Sequence, residues 1–155
     1  TNETPNYISL GYNWRMSSMT AALGISQLSK LDKLISKRRK NAQYLSSKLN
    51  KYSKIILPFN YKNHKSIFQL FSIRVTNNLR NDLMEFLTNK GIMSKIFFEP
   101  VHFSKFYSKN YKKKISLPIT EKISQQILTL PMYPGLTKHD INFISDSIDE
   151  FMETL

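Results

Sequence analysis

Few side chains in this 155-residue sequence are suited to acid–base or metal chemistry. There are three histidines, His64, His102 and His139, and none lies three or four residues from another, the spacing that places two ligands on one helix face. Cysteine is absent, the four glycines are isolated from one another, and no GxSxG motif occurs. The sequence therefore excludes cysteine-ligated metal sites and disulfide scaffolds, and it predicts neither a metal site nor a self-contained catalytic site.

The composition is strongly basic, with 23 Lys and Arg against 11 Asp and Glu and a net charge of +12. Such a charge favours binding to a polyanion. However, 18 of the basic residues are lysines and only five are arginines, the type best suited to bidentate phosphate contacts. We interpret most of this charge as solvated surface, and a basic nucleic-acid-binding domain remains an alternative.

Membrane insertion and secretion are not indicated by the sequence. No apolar run approaches the roughly 20 residues that a membrane-spanning helix needs. Residues 1–16 lack the basic segment followed by an apolar segment that is typical of a signal peptide. We expect a cytoplasmic location and no membrane partner.

A long helix is predicted near the start of the chain. Apolar residues recur at helical spacing from Ser17 or Ser18, either of which could cap the helix, to about Tyr52. At about 1.5 Å per residue such a helix would be longer than a compact domain of this size, so we expect it to be bent or broken.

The rest of the chain is predicted to alternate between short strands and helices. Extended segments are expected at residues 66–75, 92–98 and 130–134. Further helices are expected at about residues 79–90, 120–128 and 138–152, with an extended loop at residues 101–118 that could contain one short helical turn. This order predicts an α+β fold, in which a long N-terminal helix leads into a small, largely antiparallel sheet covered by helices.

Local signals mark the ends of two of these helices. Asn77 or Asn78 is expected to cap the helix at residues 79–90, and Gly91 is expected to end it. Thr137 and Asp140 have the spacing of a capping box at the start of the last helix, with Asp in place of the usual Glu or Gln.

An ordered series of short motifs extends over nearly the whole chain. It comprises GYNWRM at residues 11–16, AALG at 21–24, QL at 27–28, KLD at 30–32, RR at 38–39, GI at 91–92, FEPVH at 98–102, Pro118, Glu121 and LPMYP at 130–134. In this order the motifs resemble the DegT/DnrJ/StrS family of pyridoxal-phosphate-dependent sugar aminotransferases. Each motif alone is weak, and the combination is specific.

The resemblance implies the C-terminal portion of a fold-type-I aminotransferase of the aspartate aminotransferase superfamily. Residues 1–16 would enter from a larger domain, residues 17–52 would form a linking helix, and residues 53–155 would form a small α+β domain. The lysine that holds pyridoxal phosphate covalently would belong to the larger domain. None of the 18 lysines here has a matching context. We therefore assign no catalytic residue to this chain and expect it to be inactive alone.

Three residues receive binding roles from the resemblance. Asn13 matches the family asparagine that reaches the cofactor phosphate of the neighbouring subunit, and Arg15 could bind an anionic substrate group at the same boundary. His102 matches a histidine near the sugar-nucleotide site and could hydrogen-bond a hydroxyl or a phosphate. From the residues alone, Asn13 could instead be a turn residue, Arg15 could form a structural salt bridge, and His102 could be an ordinary surface histidine.

For the intact protein the resemblance implies a homodimer with shared active sites. It would transfer an amino group from an amino acid, glutamate, to a keto-sugar nucleotide, in cell-surface polysaccharide or amino-sugar biosynthesis. The identity of the sugar stays open, because Phe98 stands where the family commonly has tyrosine. A non-catalytic binding or regulatory dimerisation module, with the long helix as its dimer surface, is the other alternative.

Overall fold

The computed structural model of the chain describes residues 8–59, 64–110 and 115–155. These residues form two compact units, one that ends at Asp32 and one from Lys33 to Leu155. The division falls inside the first helix, α1 (Ser18–Leu49). Within the described ranges, no helix has the length and apolar character needed to cross a membrane.

The long helix predicted from the sequence is confirmed, but the break that its length led us to expect is absent, since α1 continues over 32 residues. Ser17 caps it, because its hydroxyl accepts a hydrogen bond from the backbone N–H of Thr20 at 3.2 Å and its carbonyl accepts one from Ala21 at 2.9 Å. The helix ends at Leu49, three residues before the predicted limit at Tyr52.

A three-stranded antiparallel sheet lies in the second unit, as the predicted α+β fold requires. Its strands are β1 (Ile55–Ile56), β2 (Phe71–Val75) and β3 (Ile127–Leu130), with β2 in the centre. In the register of the sheet, β1 meets β2 at Ile55 and Val75, and β2 meets β3 at Phe71 and Leu130.

The predicted strands differ from the observed ones. The segment at residues 66–75 becomes a strand only at Phe71, because Phe68 adopts a left-handed conformation with φ of 47°. The predicted strand at residues 92–98 is wrong: this segment makes a single bridge, in which Lys95 and Thr129 exchange backbone hydrogen bonds of 3.0 and 2.8 Å. Its Met93 and Phe98 side chains are exposed and gain no buried face in the sheet.

The third strand begins earlier in the sequence than predicted. Residues 127 and 128, assigned to a helix by their spacing, belong to β3, whereas residues 131–134 form no strand. Three of the four β3 side chains are buried, so sheet packing outweighs the local helical pattern. The helix before it, α4 (Pro118–Ser124), is correspondingly shifted towards the N-terminus, with Pro118 in its first turn.

Helix α2 (Arg80–Asn89) shows one wrong prediction and one correct prediction at its ends. Asn77 and Asn78 do not cap it, because both have positive φ values, 59° and 62°, and form the turn that follows β2. Gly91 does end it, with φ of 77° and an N–H donated to the carbonyl of Thr88 at 2.9 Å.

The predicted loop at residues 101–118 is more helical than expected. A 3-10 helix spans Val101–Phe103, and α3 (Lys105–Asn110) follows it. Residues 111–114 of this predicted loop lie outside the described residues.

The last helix, α5 (Lys138–Glu153), begins with the capping box that the sequence predicts. The Thr137 hydroxyl accepts the backbone N–H of Asp140 at 3.1 Å, and the Asp140 carboxylate accepts the backbone N–H of Thr137 at 2.9 Å. Hydrogen bonds from Thr137 lower the pKa of Asp140. The predicted apolar face of α5 is buried through Ile141, Ile144, Ile148 and Phe151.

Replacing Thr137 with alanine should lower the free energy of unfolding by about 1 kcal/mol, because one backbone N–H at the start of α5 loses its acceptor. Urea denaturation followed by circular dichroism measures this loss. The matched control is Thr88→Ala on α2, an exposed threonine whose hydroxyl only donates to the Met84 carbonyl. Its effect should stay within about 0.5 kcal/mol. Equal losses in both variants would contradict the capping role.

The core of the second unit lies between the sheet and the helices. It is lined by α1 from Ala42 onward, by all three strands, by α2 and by α5. The side chains that are completely inaccessible to solvent are Ala42, Leu45, Leu49, Phe71, Ile73, Val75, Leu83, Leu87, Leu128 and Ile148.

A polar cluster joins the segment after α1 to α5. Lys51 Nζ lies 2.7 Å from the Asp149 carboxylate, and the Tyr52 hydroxyl donates to the same carboxylate. Hydrogen bonds to Asp149 and Tyr52 raise the pKa of Lys51 to about 12. Burial acts to raise the pKa of Asp149, but the hydrogen bonds from Lys51 and Tyr52 outweigh it, so that the pKa is lowered.

Asp149→Asn should therefore change the response of the chain to acid. A carboxylate with a lowered pKa stabilises the folded state above its ordinary pKa of about 3.9, and this contribution is lost as the pH falls through the lowered pKa. Asp149→Asn should cost about 1–2 kcal/mol at pH 7, and the deficit should shrink towards pH 2. Urea denaturation at several pH values measures it.

The control for this change is Asp146→Asn, at an exposed position of the same helix. We expect little change at any pH, because surface substitutions stay within about 0.5 kcal/mol. A deficit in Asp149→Asn that is equal at neutral and acid pH would contradict the electrostatic explanation.

Candidate functional site

In the first unit, the segment before α1 presents Asn13 at a tight turn. The backbone N–H of Trp14 donates to the carbonyl of Tyr12 at 3.1 Å, which makes Asn13 the central residue of a three-residue turn. The rings of Tyr12 and Trp14 stack, with centroids 5.5 Å apart and planes 7° from parallel. The two residues that flank Asn13 in the sequence are thus joined by a backbone hydrogen bond and by the stacking of their rings.

Asn13 and Arg15 are both exposed in this segment. Between them they offer an amide and a guanidinium, which are hydrogen-bond donors that suit phosphate or carboxylate oxygens. This donor set fits an anionic group such as the phosphate of a cofactor. The sequence-based roles of Asn13 and Arg15 stay predictions, to which the structure adds their accessibility.

In the second unit, His102 is the central residue of the 3-10 helix Val101–Phe103. Its side chain is only 7% exposed, so it is not an ordinary surface histidine. Its Nε2 atom lies 3.1 Å from Oε1 of Glu121, and its ring packs against the ring of Phe103 at a centroid distance of 4.3 Å. The ring is thus confined by a carboxylate and an aromatic neighbour.

Glu121 had received no role from the sequence. It lies on α4, and its Oε1 atom also accepts the backbone N–H of Leu117 at 2.8 Å. It is separated from His102 by 19 residues, so no helical or strand periodicity links the two. The only signal in the sequence was the presence of both residues in the ordered motif series.

The structure therefore gives two local arrangements. Asn13 and Arg15 belong to the first unit, and His102 with Glu121 belongs to the second. In the part of the chain that the structure describes, no group of three or more His, Asp or Glu residues could hold a metal ion.

Comparison with known proteins decides the family. The sequence profile of the DegT/DnrJ/EryC1/StrS aminotransferase family matches residues 1–149 of this chain. The chain belongs to this family. The matched residues include Asn13, at the turn before α1, and both residues of the contact between His102 and Glu121.

Relatives of known name agree with this membership. The chain is 31% identical over 146 residues to the GDP-perosamine synthase of Escherichia coli O157:H7, covering 92% of this chain and 38% of that protein. A DegT/DnrJ/EryC1/StrS aminotransferase from Brucella abortus has a similar structure, with a TM-score of 0.82 and 27% identity, over 97% of this chain and 40% of the other.

The fold is also that of Spr1654 from Streptococcus pneumoniae in its PLP-form. The TM-score is 0.84 at 20% identity, over 96% of this chain and 39% of the other. The chain thus spans about two fifths of the length of the relatives it matches.

Proposed function

We propose that the intact protein is a pyridoxal-phosphate-dependent sugar aminotransferase. It transfers the amino group of an amino acid, glutamate, to the carbonyl carbon of a keto-sugar nucleotide, so that glutamate becomes 2-oxoglutarate and the sugar C=O becomes C–NH₂. The observation that carries this proposal is the family match over residues 1–149. This chain supplies the C-terminal portion. The intact protein acts in the cytoplasm, in cell-surface polysaccharide or amino-sugar biosynthesis.

Pyridoxal phosphate, when bound, supplies the electron sink that amino transfer requires. The residues of this chain bind and orient the cofactor and the substrate. The amide of Asn13 donates a hydrogen bond to the phosphate of the cofactor, and the accessible guanidinium of Arg15 pairs with an anionic group of the substrate. The covalent link to the cofactor is made by a lysine outside this chain, and no lysine here is assigned to it.

His102 contributes a contact to the sugar nucleotide. Its ring is held by Glu121 and Phe103, so it meets a substrate with little loss of side-chain entropy. In the homodimer that we propose, Asn13 serves the active site of the neighbouring subunit, so the two active sites are shared.

The reaction of the intact protein tests this proposal. The name of the Escherichia coli relative suggests the first probe, GDP-perosamine. With 2-oxoglutarate and pyridoxal phosphate, the intact protein should form glutamate from GDP-perosamine or from another amino-sugar nucleotide of a tested panel. Glutamate formation is followed with glutamate dehydrogenase. Turnover of simple amino acids with no turnover of any amino-sugar nucleotide would contradict the sugar specificity.

The 155-residue chain alone should show no turnover under the same conditions, because amino transfer needs a lysine that this chain does not place near the cofactor. The matched control is the intact protein at equal concentration. The DNA upstream of the codon for Thr1 provides an independent check, since we expect an open frame of roughly 200 codons there with a candidate cofactor lysine. Activity of the chain alone would contradict this prediction, whereas a native start codon at this position would favour the binding-module alternative.

A further inference from the structure

The contact between His102 and Glu121 constrains which ring nitrogen carries a proton. An ionised carboxylate only accepts hydrogen bonds, and Oε1 of Glu121 is 3.1 Å from Nε2 of His102. The hydrogen bond therefore requires a proton on Nε2, both in the neutral ring and in the imidazolium. In the neutral ring, which carries a single N–H, Nδ1 then carries no proton.

Glu121 is itself held in place. Its Oε1 atom accepts the backbone N–H of Leu117 at 2.8 Å, at the residue that precedes α4. Pro118 fixes the backbone in the first turn of the same helix. A carboxylate anchored in this way can orient the ring of His102, because that side chain is only 7% exposed.

We propose that Glu121 is a positioning residue for His102. It holds Nε2 in its protonated form and leaves Nδ1 as the ring atom that is offered to the sugar nucleotide. In the neutral ring Nδ1 accepts a hydrogen bond, so the partner it selects is a donor, a sugar hydroxyl. This inference rests on the proposed function, in which His102 contacts the substrate.

A purely structural role for Glu121, as the acceptor of the Leu117 N–H, is the competing explanation. It would leave the protonation pattern of His102 unchanged when Glu121 is replaced. A spectroscopic readout of the ring nitrogens therefore separates the two roles, whereas a loss of stability alone does not.

The experiment is NMR of this chain with ring-¹⁵N-labelled histidine, at about pH 8.5, above the ordinary imidazole pKa of about 6.5. His102→Gln assigns the resonances of His102. We expect a separate, slowly exchanging proton on Nε2 of His102. His139 is the internal control, because its side chain is 93% exposed and its ring protons should exchange too fast to be seen.

Two variants of Glu121 and one control variant complete the experiment. Glu121→Ala should abolish the separate Nε2 proton resonance of His102, whereas Glu121→Gln retains an acceptor oxygen and should keep it. Glu150→Ala, which breaks an exposed ion pair with Lys90, is the matched control and should leave the resonance unchanged. Persistence of the resonance in a folded Glu121→Ala variant would overturn the proposal.

The wild-type spectrum decides the matter if Glu121→Ala does not fold. A His102 ring that carries its proton on Nδ1, or an Nε2 proton that exchanges as fast as those of His139, would overturn the proposal without any Glu121 variant. The measurement needs neither cofactor nor substrate. It therefore fails or succeeds separately from the proposed aminotransferase activity.

Discussion

Replacing Phe71 with alanine should lower the free energy of unfolding by about 3–5 kcal/mol, the range for truncating a buried phenylalanine. Phe71 is completely buried, begins the central strand β2 and lies opposite Leu130 in the sheet. Its ring also contacts that of Phe68 at a centroid distance of 6.2 Å. The loss combines the apolar surface no longer buried with the cavity that remains between the sheet and the helices.

Urea denaturation of the 155-residue chain measures this change. The matched control is Phe143→Ala on α5, where the side chain is 47% exposed and should cost less than about 1 kcal/mol. If Phe71→Ala is unfolded without denaturant, Phe71→Leu gives a smaller loss of about 1 kcal/mol that can still be measured. Equal losses at Phe71 and Phe143 would contradict the position of the core.

Replacing Asn13 with alanine should raise the dissociation constant of pyridoxal phosphate in the intact protein by about 10–100-fold. A hydrogen bond to a charged group contributes about 1.5–3 kcal/mol, and each 1.4 kcal/mol corresponds to about a factor of ten. Titration of the cofactor-free protein with pyridoxal phosphate, followed by activity, measures the effect. The matched control is Asn81→Ala, at an exposed position of α2, which should leave the affinity unchanged.

A second substitution separates phosphate binding from a role in the turn. Aspartate suits turns as well as asparagine does, but its carboxylate would repel a phosphate. Asn13→Asp should therefore weaken cofactor binding at least as much as Asn13→Ala. Wild-type affinity in Asn13→Asp would instead identify Asn13 as a turn residue and favour the alternative that the sequence left open.

The parts of the fold that the sequence predicts correctly are those fixed by neighbouring residues. The Ser17 cap, the capping box at Thr137 and Asp140, and the helix end at Gly91 each depend on contacts within a few residues. The apolar face of α5 follows from spacing along one helix. Such signals need no knowledge of the rest of the chain.

Apart from the helix cap expected at Asn77 or Asn78, where a turn forms instead, the main incorrect predictions concern strands, whose hydrogen bonds depend on distant partners. The segment at residues 92–98 has the composition of a strand, but its pairing with β3 stops at one bridge between Lys95 and Thr129. In contrast, residues 127 and 128 have helical spacing and are drawn into β3 by pairing with β2. In both cases the outcome depends on which backbone is available alongside, which local propensity does not encode.

The sequence by itself determined the family, the α+β class, the two longest helices and the candidate residues Asn13, Arg15 and His102. Only the tertiary structure decided that the His102 ring is buried and that Glu121, 19 residues away, faces its Nε2 atom. The physical reason is that the order of residues fixes local hydrogen bonds and spacing, whereas contacts between a 3-10 helix and α4 exist only after the chain has packed.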